Sequence, residues 1–326
     1  MNRILSFCIP LLLSIGLIGV PVRSVAAAPS IFAFACPAED AIAVDGQATE
    51  SVWQRAMPMT DLAAYIDNSR SADVQTIFKI AYDTTNLYLA VLADEPAMDT
   101  VIVEEADHDT WPPGSKIEVF LDPQRDRYTY YQLAANLAGT RYDSYRKDKD
   151  AWNPDWKAAT RLGDKGWTME MVIPLKDFCD AQPREGSVWG LNLCRNREGG
   201  LQNSSTWARV GYDFHNPGKF NSLIFGGPQD FIDSELAHGK WVSETTTQNL
   251  VKVPRFSAAI QRQLGRADQV RKNFAATSAA FAPGDLDSFR DIYVLAQSVR
   301  KCCDAIVQEM EVLLALSATQ GRGDRK

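Results

Sequence analysis

Histidine is scarce: three residues, His108, His215 and His238, serve a chain of 326. Most constellations that depend on an imidazole go with it. The chain has no His-Glu-x-x-His, no Gly-x-Ser-x-Gly elbow and no glycine-rich phosphate loop ahead of a helix. Zinc-type cysteine spacings are absent as well, since no Cys-x-x-Cys occurs. Positive charge is in short supply, with 34 Lys and Arg against 41 Asp and Glu, a net charge of −7. Nucleic acids and anionic membranes demand a cationic footprint, so neither is an expected partner. Long apolar runs are confined to the amino terminus.

That terminus reads Met-Asn-Arg, then ILSFCIPLLLSIGLIGV, then PVRSVAAAPS. A short cationic start, an apolar stretch and an Ala-x-Ala exit are the marks of a secretory signal peptide, here residues 1–28. Export to the periplasm, the cell surface or the medium is the expectation, with no membrane attachment after cleavage. Removing Arg3 and Arg23 takes the net charge from −7 to −9. Five cysteines then remain: Cys36, Cys179, Cys194, Cys302 and Cys303. An oxidising compartment favours one or two disulfides among them, and the odd count leaves a thiol over.

From about residue 36 to 230 the text is short strands and turn signals. TIFKIAYD and LYLAVLAD flank Thr84-Thr85-Asn86 as a hairpin. KIEVFLD, YTYYQLAAN, TRYDSY, WKAATRL, WTMEMVIPL, VWGLNLCRN and FNSLIFG follow. Alternation places Trp167, Met169 and Met171 opposite Thr168, Glu170 and Val172, and Ile117, Val119 and Leu121 opposite Lys116, Glu118 and Asp122. Without long helices between the strands, parallel crossovers have no room. The expected fold is mainly β, an antiparallel β-sandwich of the jelly-roll or immunoglobulin-like kind.

After Gly226-Gly227 the composition shifts. Residues 231–253 read as a linker, and helical periodicity begins near 254. Phe256, Ile260, Leu264, Ala267, Val270 and Phe274 form one apolar stripe. Beyond the breaker Ala282-Pro283-Gly284, a second stripe runs through Phe289, Ile292, Leu295, Val299, Cys302, Ile306, Met310 and Leu313, with Asp285 as cap. The spacing predicts a C-terminal α-helical hairpin over 254–318. It buries each stripe on the other or on a protein partner, self-association included. Residues 319–326 read as a disordered tail.

Chemistry is concentrated in HDTWPPGSKIEVFLDP, residues 108–123. Pro112, Pro113 and Gly114 hold Trp111 in a loop ahead of a strand that carries carboxylates. Trp152, Trp156, Trp207, Phe214 and a run of tyrosines lie near other loops, whereas Trp53, Trp167 and Trp189 fit core patterns. Sugar rings present flat C–H faces to aromatic planes and hydroxyls to carboxylates, so an indole beside an acid suits a carbohydrate. The enzymatic alternative is a glycoside hydrolase with a carboxylate pair. Glu118 and Asp122 fall about 13 Å apart along one strand face, beyond the roughly 5 to 9.5 Å such pairs need. Asp94, Glu104, Glu105 and Asp107 keep that alternative open.

The motif order resembles family 9 carbohydrate-binding modules. VDG at 44–46, Trp53, YDTTNLYLAV, DEP at 94–96, Trp111 before KIEVFLDP, YYQLAANLAGTRYD, GWTMEMVIPL, VWGLNL, STW and FHNPGKFNSLIFG carry the likeness across residues 38–227. The resemblance implies a non-catalytic module gripping a glucan or xylan chain between two aromatic rings in carbohydrate catabolism. It implies no required cofactor, with structural calcium in some members. Residue by residue, it places the first ring on Trp111, the carboxylates on Glu118 and Asp94, and the second ring on Phe214. Asn136, closing the strand after Glu118, joins them as a candidate. An arginine of the family falls on Ala134, leaving Arg141 or Gln132 as substitutes. Some related sandwiches hold haem through methionine, but Met57 and Met59 read as core. A scaffold protein with a vestigial sugar site is the remaining alternative.

Overall fold

Alternating apolar residues build twelve strands in a computed structural model that describes residues 32–178, 182–198, 203–282 and 285–323. The expected leader, Cys179 and the last three residues lie outside the described ones. The strands are β1 (Phe32–Pro37), β2 (Ala63–Ala64), β3 (Thr76–Tyr82), β4 (Asn86–Asp94), β5 (Lys116–Asp122) and β6 (Tyr131–Asn136). They continue as β7 (Arg141–Tyr145), β8 (Lys157–Leu162), β9 (Gly166–Pro174), β10 (Val188–Asn196), β11 (Ser205–Thr206) and β12 (Asn221–Phe225).

The expected face-to-face antiparallel sandwich is replaced by one mixed sheet, β7-β6-β5-β10-β12-β1-β3-β4-β9-β8. β1 makes the difference. It lies parallel to both β12 and β3 and joins what would otherwise be separate sheets. A parallel strand suits a site covered on both faces, and β1 is apolar on both. Ala33 and Ala35 point into the sheet's core, while Phe32 and Phe34 face the helices.

The sheet curls until it is barrel-like and nearly closed around one core that includes Leu89, Val119, Leu133, Met171 and Leu191. Its edges, β7 and β8, meet at Trp156. The indole N–H of Trp156 donates to Asp143 Oδ2 on β7 at 2.8 Å, and Arg141 donates to the Trp156 carbonyl.

The outer face is not simply wet. Glu170, opposite the buried methionines of β9, is itself fully buried. It accepts from the Trp53 indole at 2.9 Å and from Gly46 N at 2.9 Å. Trp53 sits on the short helix α1 (Ser51–Arg55). On the far side, residues 208–220 cover β5, where Phe120 packs with Tyr130, Val210 and Phe214.

Three further helices follow: α2 (Pro228–Asn249), α3 (Ser257–Ser278) and α4 (Leu286–Gly323). The stretch read as a linker is therefore largely α2, and α4 extends through most of the expected tail. The hairpin becomes a three-helix bundle. Pro228 opens α2 at a position where its missing N–H costs nothing, and Asp230 accepts from Gly227 N at 2.6 Å. Buried Glu235, Gly239 and Thr246 interrupt the apolar stripe of α2, which hides it in the sequence.

Apart from Phe256, which stays exposed, both expected stripes pack within the chain, with Ile260, Phe274, Phe289, Val299 and Ile306 in one cluster that also takes in Phe32, Phe34 and Ile224. The bundle thus caps the outer face of β1 and β12. No helix among the described residues is long and apolar enough to cross a membrane. Cys36, Cys194, Cys302 and Cys303 are free thiols, so the expected disulfides do not form among these four.

Candidate functional site

Lys116, Glu118, Phe120 and Asp122 alternate outward from β5, and above the first two opens a cavity of about 490 Å³. That volume lies in the small-ligand range of about 300–1,000 Å³. Trp111, Tyr65, Phe214 and His215 contribute rings to its wall, and Arg197, Glu198, Asp213 and Asn196 contribute polar groups.

Trp111 is 48 % exposed, its edge set against Tyr142 with centroids 5.3 Å apart. Its loop is fastened from below. Gly114 turns at φ +68°, where a side chain would press on the Ile102 carbonyl at 2.8 Å. Asn136 Nδ2 donates to the carbonyls of Pro113 at 3.0 Å and Glu104 at 2.8 Å. Its Oδ1 accepts from Ala138 N and Thr140 N. Those four bonds exhaust the amide. Asn136 therefore lies fully buried outside the cavity wall and positions the loop, which corrects its expected place among the contact residues.

Glu118 is the buried acid at the cavity floor. Gln132 Nε2 donates to its Oε2 at 2.8 Å and Asn196 Nδ2 to its Oε1 at 2.5 Å. Burial raises its pKa above the ordinary glutamate value, against the pull of those two amides and Lys116. A carboxylate offers about four lone-pair directions, so two remain for hydroxyl donors. Lys116 Nζ donates to the Gly114 carbonyl at 2.7 Å and lies 5.7 Å from the Trp111 ring centroid. Burial lowers its pKa.

Phe214 lines the cavity but is only 7 % exposed, wedged against Tyr65 at 4.1 Å and Phe120. Tyr65 is thus the more open of the two rings. Its hydroxyl donates to the Tyr212 carbonyl at 2.5 Å. Asp94 does not join the group: it ends β4 exposed and outside the cavity, and its carbonyl accepts from Arg195 at 2.7 Å. The next residue, Glu95, turns inward instead. It takes Arg197 Nε at 2.8 Å and Nη2 at 2.6 Å, and Arg195 Nη2 at 3.1 Å. The Arg197 hydrogen bonds hold its carboxyl below the usual range.

Ala134 pairs directly across from Glu118, so a methyl group stands where the resemblance expects a guanidinium. Arg141 does not replace it, since it reaches the Trp156 carbonyl. Gln132 does contribute, through Glu118. The cavity's guanidinium comes from Arg197, just beyond the end of β10. Asn196 pairs with Lys116 across the β5–β10 ladder, which explains how β10 reaches the site. Tyr65 arrives through the pairing of β2 with β11. These partners lie far apart in sequence, and no local signal links them. Asp122, Glu104, Glu105 and Asp107 stay outside the cavity wall, and the carboxylates that share it with Glu118 are Glu198 and Asp213.

Residues 44–227 match the family described as "Carbohydrate family 9 binding domain-like". Among curated proteins, endo-1,4-beta-xylanase A of Thermoanaerobacterium saccharolyticum is 22 % identical over 189 residues, covering 56 % of this chain. The match spans 15 % of that relative's length. A family 9 module of Caldicellulosiruptor kristjanssonii, solved with cellotriose, aligns at a TM-score of 0.45 and 15 % identity, over 60 % of this chain and 94 % of that one. A putative carbohydrate-binding protein of Bacteroides uniformis aligns at 0.47 and 19 %, over 60 % and 98 %. Since the matched family covers more than half of its residues, the chain belongs to the carbohydrate family 9 binding domain-like family.

Proposed function

We propose that the chain is an exported, non-catalytic carbohydrate-binding protein that takes a sugar of a glucan or xylan chain in the cavity above β5. The observation that carries this reading is the pairing of an exposed indole with a buried, amide-braced carboxylate in one cavity. A pyranose lays its C–H face on Trp111, and its hydroxyls donate to Glu118 and accept from Lys116 and Arg197. Tyr65 and the edge of Phe214 close the opposite side. The prearranged partners of Glu118 and Arg197 reduce what must be ordered on binding. Membership of a family named for carbohydrate binding and the likeness to part of a xylanase support this substrate class. Binding of this kind supports polysaccharide breakdown by holding a substrate for separate enzymes. The sugar contacts need no metal.

Isothermal titration with xylo- and cello-oligosaccharides tests the reading. Wild-type protein should bind at least one series. Trp111→Ala should weaken that binding at least tenfold, about 1.4 kcal/mol, with the melting temperature unchanged. Equal affinity in wild type and variant places the site elsewhere.

A further inference from the structure

Ahead of Trp111 lies a second cluster that the sugar site does not use. His108, Asp109 and Asp143 each bring one ligand atom within 4.8 Å of the others. His108 Nε2 stands 2.9 Å from Asp143 Oδ2 and 3.6 Å from Asp109 Oδ1. Ligands bonded at about 2.0–2.2 Å to a common ion take separations of this size. Asp143 has no solvent exposure, yet its Oδ1 is buried without a hydrogen-bond partner, and so is Asp109 Oδ1.

Two buried carboxylate oxygens without partners, one on each acid of the cluster, are an expensive arrangement. A protonated His108 offers a single proton at Nε2, already directed at Asp143 Oδ2, and leaves both orphans unserved. The three residues are also held in place: Asp109 N donates to the Arg141 carbonyl at 3.0 Å, and the Trp156 indole anchors Asp143 Oδ2 at 2.8 Å.

We propose that His108, Asp109 and Asp143 bind a first-row divalent cation of the zinc class. One nitrogen and two carboxylates suit zinc, whereas calcium selects all-oxygen cages and magnesium keeps its waters. His108 is partly exposed, so the remaining coordination positions face solvent and are taken by water. The ion fastens the turn that carries Trp111 to β7, which adds a clamp beneath the indole. This assignment rests on its own residues and holds whether or not the cavity above β5 takes a sugar.

The test is a titration of the full chain, freed of affinity tag and stripped with chelator, with zinc chloride by calorimetry. One equivalent should bind, and cobalt at the same site should give visible d–d absorption with an imidazole ligand. His108→Ala, at the exposed edge, should keep the near-ultraviolet dichroism of the fold and weaken binding at least tenfold. Loss of an outer partner alone costs about 10- to 100-fold at metal sites, and loss of a ligand costs no less. Asp143→Asn, which keeps an acceptor for Trp156, should do the same. No stoichiometric binding, unchanged affinity in His108→Ala, or displacement of zinc by equimolar calcium would each overturn the assignment.

Discussion

The sheet and the helical bundle keep their charge differently. In the bundle one buried carboxylate stands out, Glu235, paired with Arg300, and apolar stripes do the remaining packing. The sheet holds several: Glu118 with Gln132 and Asn196 and Glu170 with Trp53 on its outer face, and Glu95 with Arg195 and Arg197 and Asp143 with Trp156 on its core side. Each of these fixes a loop or strand end beside the cavity or beside the turn ahead of Trp111, or fixes the segment that covers the sheet. Buried polar networks are costly unless satisfied. Their concentration in the sheet, and not in the bundle, shows which region holds its loops and strand ends by polar geometry.

Breaking the largest network should separate the two regions most sharply. Glu95→Ala leaves Arg195, whose side chain is wholly buried, and Arg197 without their carboxylate. Burial already lowers the Arg195 pKa to about 10. Urea denaturation should show a loss of about 3–5 kcal/mol, and oligosaccharide affinity should fall with it because Arg197 is released. Phe289→Ala, at the contact between bundle and β1, should cost about 3 kcal/mol and leave oligosaccharide affinity unmoved at temperatures where the fold persists. If both variants change affinity alike, the division of labour between the regions is wrong.

Smaller effects sharpen the contrast. Glu235→Gln keeps an acceptor for Arg300, which is 41 % exposed, so the loss should be about 1 kcal/mol by denaturation. Acid titration of stability should report His215, which lines the cavity and bonds the Tyr130 hydroxyl at 3.0 Å. Burial lowers its pKa from 6.5 to about 4, with Lys147 adding to the shift. The unfolded chain therefore takes up this proton first. The stability tied to a neutral His215 is complete above about pH 6.5 and lost as pH falls toward 4. His215→Gln should flatten that part of the profile, and an unchanged acid limb would remove His215 from it.

Much of the sheet was legible because its strands alternate. VWGLNLCRN and KIEVFLD appear as strands with the bounds the pattern implies. β1 was not, because FAFACP follows directly on a stretch that reads as a leader, and its apolar residues serve two faces at once. Missing β1 meant missing the parallel pairing that converts a sandwich into one curled sheet. α2 was hidden by its buried Glu235 and Thr246.

In the site, Trp111 and Glu118 were readable because a loop proline pair and a strand face place them locally. Arg197, Asn196 and Tyr65 depend on ladder register across some 80 to 140 residues of sequence, which periodicity does not encode. Asp94 lies outside the cavity, and the adjacent Glu95 reaches it only through Arg197. Asn136 was correctly near the loop but spent on backbone.

The central claim is that one sugar ring meets Trp111 and Glu118 together. Crystals of the protein soaked in xylotriose or cellotriose test it most directly. The account predicts a pyranose lying flat on the exposed indole face, with a hydroxyl within hydrogen-bond reach of Glu118 Oε1 or Oε2. A sugar ordered elsewhere on the molecule, with the cavity above β5 filled only by solvent, would contradict it.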